Sequence, residues 1–85
     1  MSHATIRYWA AARDAAGTAE ESYQAADLGE LLDLARGRHG AGRFADVLAC
    51  CSFLVDGAPV GTRSPASVVL PEGATVEALP PFAGG

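Results

Sequence analysis

The residues best suited to chemistry are Pro80-Pro81-Phe82-Ala83-Gly84-Gly85. Proline fixes φ near about −65° and offers no N–H to a sheet ladder. Pro80 and Pro81 therefore stop a preceding strand and stiffen the base of the tail. Gly84 and Gly85 carry no Cβ, which makes a slim end able to pass through a narrow channel. Six extended residues span about 20 Å at most, at about 3.3–3.6 Å each. The implied chemistry is a Gly85 carboxylate delivered into another protein's active site while the domain stays outside. A frayed terminus is the ordinary alternative, but frayed ends are more often polar than proline-stiffened and apolar.

Other reactive side chains are few. Cys50 and Cys51 are neighbours, and Cα atoms about 3.8 Å apart fall short of the usual disulfide spacing of about 4.4–6.8 Å. They read as small apolar side chains packed in or beside a strand, since adjacent thiols lack the CxxC geometry of redox or zinc sites. No metal site is expected. His3 and His39 have no evident catalytic companions and read as surface residues, and Asp14, Glu20 and Glu21 read as solvated charges. The chain has no lysine, so Schiff-base chemistry, a P-loop lysine and chain growth on its own lysines are excluded.

These residues need elements to position them. Ala4 to Trp9 is rich in β-branched and aromatic residues and predicts a strand. Alternation puts Ile6 and Tyr8 on one face and Thr5, Arg7 and Trp9 on the other. With Ile6 and Tyr8 inward, Trp9 stands outside, suited to an interface. Ala10 to Ala16 reads as a short helical turn closed by Gly17, and Thr18 to Tyr23 as a returning strand. Asp27 caps a helix running to Arg38, with Leu28, Leu31, Leu32 and Ala35 at i, i+3, i+4 and i+7. Glu30 completes a capping-box pattern, and Gly40 supplies the stop. Gly29 and Gly37 each weaken this helix by about 1 kcal/mol relative to alanine.

Gly40-Ala41-Gly42 breaks the chain before a short apolar stretch around Phe44, Val47 and Leu48. Ser52 to Val55 is a strand, and Asp56-Gly57 is a type I′ turn signal. Gly61 to Ser67 is loop, Val68 to Leu70 a short strand or turn, and Thr75 to Leu79 the last strand. The expected architecture is α+β, a mixed sheet with one main helix packed across it. Residues 1–79 form the domain and residues 80–85 an extended tail.

Composition agrees with one small domain. The chain has 85 residues and 49% hydrophobic content, enough to bury about 60–65% of its unfolded surface. Stability on the usual scale is about 4–13 kcal/mol, which leaves little for a strained catalytic pocket, so an enzyme acting alone is not expected. A net charge of −4 with arginines scattered along the chain lacks the basic stripe that nucleic acid requires. No apolar run has membrane-spanning length and no signal-peptide pattern opens the sequence, so a cytoplasmic protein with neither nucleic-acid nor membrane partners is expected.

With these motifs in view, the sequence resembles the MoaD/ThiS sulfur-carrier family of ubiquitin-like β-grasp proteins. The likeness is carried by Ile6-Arg7-Tyr8-Trp9-Ala10, Arg13-Asp14-Ala15-Ala16-Gly17 and the helix from Asp27 to Arg38. It continues through Phe53-Leu54-Val55-Asp56-Gly57, Pro71-Glu72-Gly73 and, most specifically, Leu79-Pro80-Pro81-Phe82-Ala83-Gly84-Gly85. The Pro-Pro stem is typical of the branch that supplies small subunits of molybdopterin synthase. Phe82 departs from the smaller aliphatic residue usual there.

The resemblance implies that an E1-like enzyme adenylates Gly85 with ATP. A sulfur donor then converts the AMP adduct to a thiocarboxylate, a 1-thioglycine end. That sulfur passes to cyclic pyranopterin monophosphate inside the large catalytic subunit of molybdopterin synthase, for molybdenum cofactor biosynthesis. It further implies a heterotetramer built on a large-subunit dimer, with no cofactor bound by this chain. Trp9 and Leu79 match family positions at the large-subunit interface, Leu79 being equally readable as core, and Arg13 matches a recurrent arginine equally readable as a solvated charge. Rival functions are a carrier feeding thiamine, cysteine or another thio-product, a ubiquitin-like protein modifier, and an interaction domain with an inert tail.

Overall fold

Strand-forming residues open the chain. The computed structural model describes residues 2–81, and in it β1 (His3–Tyr8) alternates strictly, with Ala4, Ile6 and Tyr8 buried. Trp9 stays extended but lies just past the strand, at the N-cap position of α1 (Ala10–Ala16). Gly17 ends α1 in the left-handed region at φ 75°, its N–H donating to the Arg13 carbonyl. β2 (Glu20–Gln24) then returns antiparallel to β1, with Ile6 opposite Glu21.

α2 (Leu28–His39) is the longest helix and begins as its sequence predicts. The Asp27 carboxylate accepts the Glu30 N–H at 2.8 Å, and Glu30 reaches back to accept the Ala26 N–H at 2.7 Å, one residue earlier than in the usual capping box. Leu28, Leu31, Leu32 and Ala35 are all buried. The apolar stretch after Gly42 is itself a helix, α3 (Arg43–Cys50), packed against α1 with Phe44 and Leu48 buried one turn apart. Gly40 and Gly42, both at positive φ, carry the chain from α2 into it. From sequence this segment shows only as an apolar stretch, because two glycines so close together obscure the onset of a helical period.

The second half builds the rest of the sheet. β3 (Ser52–Val55) and β4 (Ala58–Pro59) meet through Asp56-Gly57, whose positive φ values of 49° and 84° are those of a type I′ turn. Asp56 is pinned to the last strand by a pair of hydrogen bonds with the Thr75 backbone, through its own N–H and its carboxylate. A single 3₁₀ turn (Pro65–Ser67) crosses above α2, and Val69 bridges to Asp27. β5 (Ala74–Leu79) then enters the middle of the sheet, giving the order β2-β1-β5-β3-β4. It runs parallel to β1 and antiparallel to β3. The helices cover the sheet face that carries Ile6, Val76 and Ala78, and among the described residues no charged residue falls in the buried set.

The two helical glycines differ in environment. A Cβ on Gly37 would meet nothing within 4 Å, whereas one on Gly29 would sit 3.2 Å from the Ala66 amide nitrogen of the 3₁₀ turn. Gly29 is thus required by the close approach of backbone, and Gly37 is a free weakness. We expect Gly37→Ala to raise unfolding free energy by about 1 kcal/mol. Gly29→Ala should forfeit that gain or reverse it. Urea denaturation of the two variants checks both.

Candidate functional site

The parallel register of β1 with β5 sets Tyr8 beside Ala78, and the next amide along, Trp9 N–H, donates to the Ala78 carbonyl at 3.2 Å. Trp9 and Leu79 therefore finish their strands side by side, on the sheet face away from the helices. Trp9 is 41% exposed and Leu79 half-buried. The Arg7 guanidinium lies 5.5 Å from the Trp9 ring centroid, a cation–π distance, and is also paired to Glu20 at 3.6 Å. Leu54 and Pro59 join this face through β3 and β4, Leu54 opposite Glu77 and Pro59 opposite Leu54. Sequence alone singles out neither, because both reach this face only through pairing across the sheet.

Directly after Leu79 the chain leaves as Pro80, half-buried, and Pro81, exposed. Both prolines line a cleft of about 250 Å³ with Ala11 of α1 and Asp46, Val47 and Cys50 of α3. The stem is thus seated between two short helices beside the Trp9–Leu79 corner. Phe82, Ala83, Gly84 and Gly85 lie outside the described residues. Arg13 is exposed one helical turn beyond Trp9 and makes no ion pair among the described residues.

The cysteines part company. Cys50 is exposed on the last turn of α3 and faces the cleft, so it does not pack in or beside a strand as the sequence suggested. Cys51, at the junction with β3, is half-buried and donates to the Val47 carbonyl at 3.3 Å. Burial, then the neighbouring Cys50, pushes its thiol up to about 11. Both are free. Among the described residues no group of three or more His, Cys, Asp or Glu side chains could hold a metal ion, and no helix is long and apolar enough to cross a membrane.

Two residues read from sequence as surface groups are not. The Glu21 side chain is only 7% exposed and that of His39 only 15%. Because β2 pairs with β1 in the register that puts Glu21 opposite Ile6, its carboxylate faces the helices. There it accepts from Tyr8 Oη–H at 2.7 Å and Tyr23 Oη–H at 3.0 Å. Arg38 Nε donates to it at 3.1 Å, and His39 Nε2 lies 2.9 Å away. An ionised carboxylate only accepts, so His39 carries its proton on Nε2. The His39 ring stacks on Phe44 at 4.2 Å, and Tyr8 meets Phe44 edge-on at 5.5 Å.

One carboxylate therefore ties β1, β2 and the end of α2 together above the start of α3. Burial alone would raise its carboxyl, but hydrogen bonds from Tyr8, His39 and Tyr23 outweigh burial and hold Glu21 below the usual carboxylate range. The same contacts, after burial, push the Tyr23 hydroxyl up to about 12 and that of Tyr8 higher still. The alternation of Glu21 with Tyr23 is the one local signal that could have placed Glu21 inward, and only tertiary packing brings His39 to it.

A mixed five-stranded sheet of order β2-β1-β5-β3-β4, with its first and last strands parallel at the centre and helices across one face, is a ubiquitin-like β-grasp fold. No protein-family model and no curated protein matches the sequence, but solved structures do. The small archaeal modifier protein 1 from Methanosarcina acetivorans superposes with a TM-score of 0.84 at 19% identity, over 100% of this chain and 98% of that one. A Pyrococcus furiosus protein assigned as subunit 1 of molybdopterin converting factor gives 0.73 at 25% identity, over 95% and 99%. A complex of subunits 1 and 2 of that factor from Helicobacter pylori gives 0.72 at 18% identity, over 98% and 99%. The fold of this chain is that of the MoaD/ThiS-like proteins, in keeping with the sequence resemblance.

A depressed carboxyl contributes stability that is present above its unfolded value and lost as pH falls through its folded value. Glu21→Gln should therefore lower unfolding free energy at pH 7 by about 1.5–3 kcal/mol, the scale of hydrogen bonds to a charged group. The gap to the parent chain should begin to narrow as pH falls below about 4.3, the ordinary glutamate value, and close only beneath the lower folded value. Denaturant titrations across pH measure both effects.

Proposed function

We propose that this chain is a sulfur carrier of the kind that serves as the small subunit of molybdopterin synthase. The observation that carries the reading is the placement of Trp9 and Leu79 side by side where Pro80 leaves the sheet. That arrangement gives a partner an apolar corner to grip and a stiff guide for the terminal residues. Structural likeness to subunit 1 of molybdopterin converting factor, including one solved with its subunit 2, supports it. In this reading Gly85 is adenylated by an E1-like enzyme and AMP is the leaving group when a sulfur donor attacks. The resulting thiocarboxylate is a soft nucleophile, which the large subunit directs at the pterin precursor. The pocket, the ATP site and the acid–base groups belong to the partners, Trp9 and Leu79 grip the large subunit, and Arg13 contributes at the rim.

The likeness to a small archaeal modifier protein favours one second reading. There the same activated Gly85 would be attacked by a target lysine, giving an isopeptide bond instead of a transferred sulfur. Both readings share the activation step and differ in the acceptor.

Incubation with an E1-like enzyme, ATP and sulfide, followed by intact mass measurement, should show one oxygen replaced by sulfur. Deletion of Gly85 should abolish the change, and an unchanged parent chain under conditions that thiolate a related carrier would sink the proposal. Lysine-linked adducts that require Gly85 would instead select the modifier reading. For the docking corner, Trp9→Ala should weaken large-subunit binding about 30-fold, the loss of an aromatic hot spot worth about 2 kcal/mol. Calorimetric titration measures this, with circular dichroism confirming an unchanged fold.

A further inference from the structure

The two edges of the sheet are built differently. β4 is two residues long and contains Pro59, and Arg63 covers it by donating to the Val60 carbonyl at 3.0 Å and the Pro59 carbonyl at 3.1 Å. Short length and proline are devices that keep an edge strand from pairing with another chain. β2, at the opposite edge, has five residues, EESYQ, with no proline and no lysine.

The ladder with β1 determines which groups of β2 are free. Tyr8 N–H donates to the Ala19 carbonyl and Ala25 N–H to the Ser2 carbonyl, each at 2.8 Å. Antiparallel partners alternate between hydrogen-bonded and non-hydrogen-bonded pairs. In the observed register, residues 19, 21, 23 and 25 therefore turn their backbone groups toward β1. Glu20, Ser22 and Gln24 turn theirs outward. Of these, the Glu20 carbonyl accepts from the Thr18 hydroxyl at 3.3 Å. No strand lies beyond β2 among the described residues, and a cleft of about 360 Å³ runs beside it, bounded by Arg38 and His39.

We infer that β2 pairs antiparallel with β2 of a second copy, about a two-fold axis through Ser22. In that register Ser22 faces Ser22, Glu20 faces Gln24, and Glu21 faces Tyr23. All three outward-turned residues of each strand are then used, and no like charges are opposed. A shift that sets Glu20 opposite Ser22 brings Glu21 against Glu21, and one that sets Ser22 opposite Gln24 leaves Glu20 beyond the pairing. The most extensive register thus opposes no charge to its like. An inward-pointing charge ordinarily guards an edge strand, but Glu21 is already paired with Arg38 and His39 and does not serve as a guard. The contact is isologous, as a two-fold dimer requires. It joins edges and leaves the outer face at Trp9 and Leu79 uncovered.

Sedimentation velocity of the full chain, at concentrations up to about 1 mM where weak association is read, should show a reversible monomer–dimer equilibrium. Ser22→Pro should abolish the dimer. The Ser22 N–H points away from β1, and proline is tolerated at such positions, so the intramolecular ladder survives and the Tyr8 and Ala25 amides stay protected from hydrogen exchange. Gln24→Glu places a carboxylate opposite Glu20 twice per dimer and should weaken association about tenfold, whereas Gln24→Lys should strengthen it. A parent chain that stays monomeric over the range overturns the inference. So does a dimer that survives Ser22→Pro, or one indifferent to the charge at position 24.

Discussion

The pairing of β5 with β1 is the constraint on which the rest depends. A parallel neighbour cannot be reached by a tight turn and needs a long crossover. Here the crossover is most of the molecule, because α2, α3, the β3–β4 hairpin and the 3₁₀ turn all lie between the two strands. Closing it brings both ends of the chain's regular structure to the sheet centre, where Ile6 and Val76 are wholly buried. It also delivers Trp9 and Leu79 to the same end of that sheet. Weakening this pairing would therefore loosen the core and disperse the Trp9–Leu79 corner together.

Small side chains make the pairing workable. Ala4, Ala74 and Ala78 on the inner face take up little room, and Leu28, Leu31 and Leu32 of α2 are buried in the same apolar cluster. Gly29 extends the same economy outward by allowing the 3₁₀ turn to cross the helix at backbone distance. The departure from this pattern is Glu21, a carboxylate on an otherwise apolar face. Its position at the edge strand, rather than beneath α2, lets Arg38 reach it from solvent while Tyr8, Tyr23 and His39 supply the remaining donors.

Much of this was legible from the residues. Period-two alternation fixed the inner face of β1 and the outward aspect of Trp9, and the apolar stripe and Asp27 fixed α2. Asp56-Gly57 fixed the tight hairpin between β3 and β4. What could not be read has a common cause. α3 is short and glycine-flanked, so its one turn of apolar spacing between Phe44 and Leu48 gives too little periodicity to register. The Glu21–His39 contact joins residues 18 positions apart, and no local pattern announces a partner at that range. Leu54 and Pro59 entered the outer face by strand pairing, which sequence alternation orients but does not assign. The seating of Pro80 and Pro81 against α3 depended on that same unrecognised helix.

The distribution of titratable groups bears on where the chemistry is done. General acid–base catalysis works best with a group whose pKa lies near the operating pH. In this domain the shifts run the other way, the Glu21 carboxyl held down and the Tyr8 and Tyr23 hydroxyls pushed up, each away from neutrality. These groups hold their protons, or their charge, across the whole neutral range, which suits a structural tie and disqualifies them as proton shuttles. Among the described residues, the cleft at the stem offers only Asp46 and the Cys50 thiol among apolar walls. On the proposed reading, the domain is gripped while another protein moves the protons, which is the division of labour that a carrier requires.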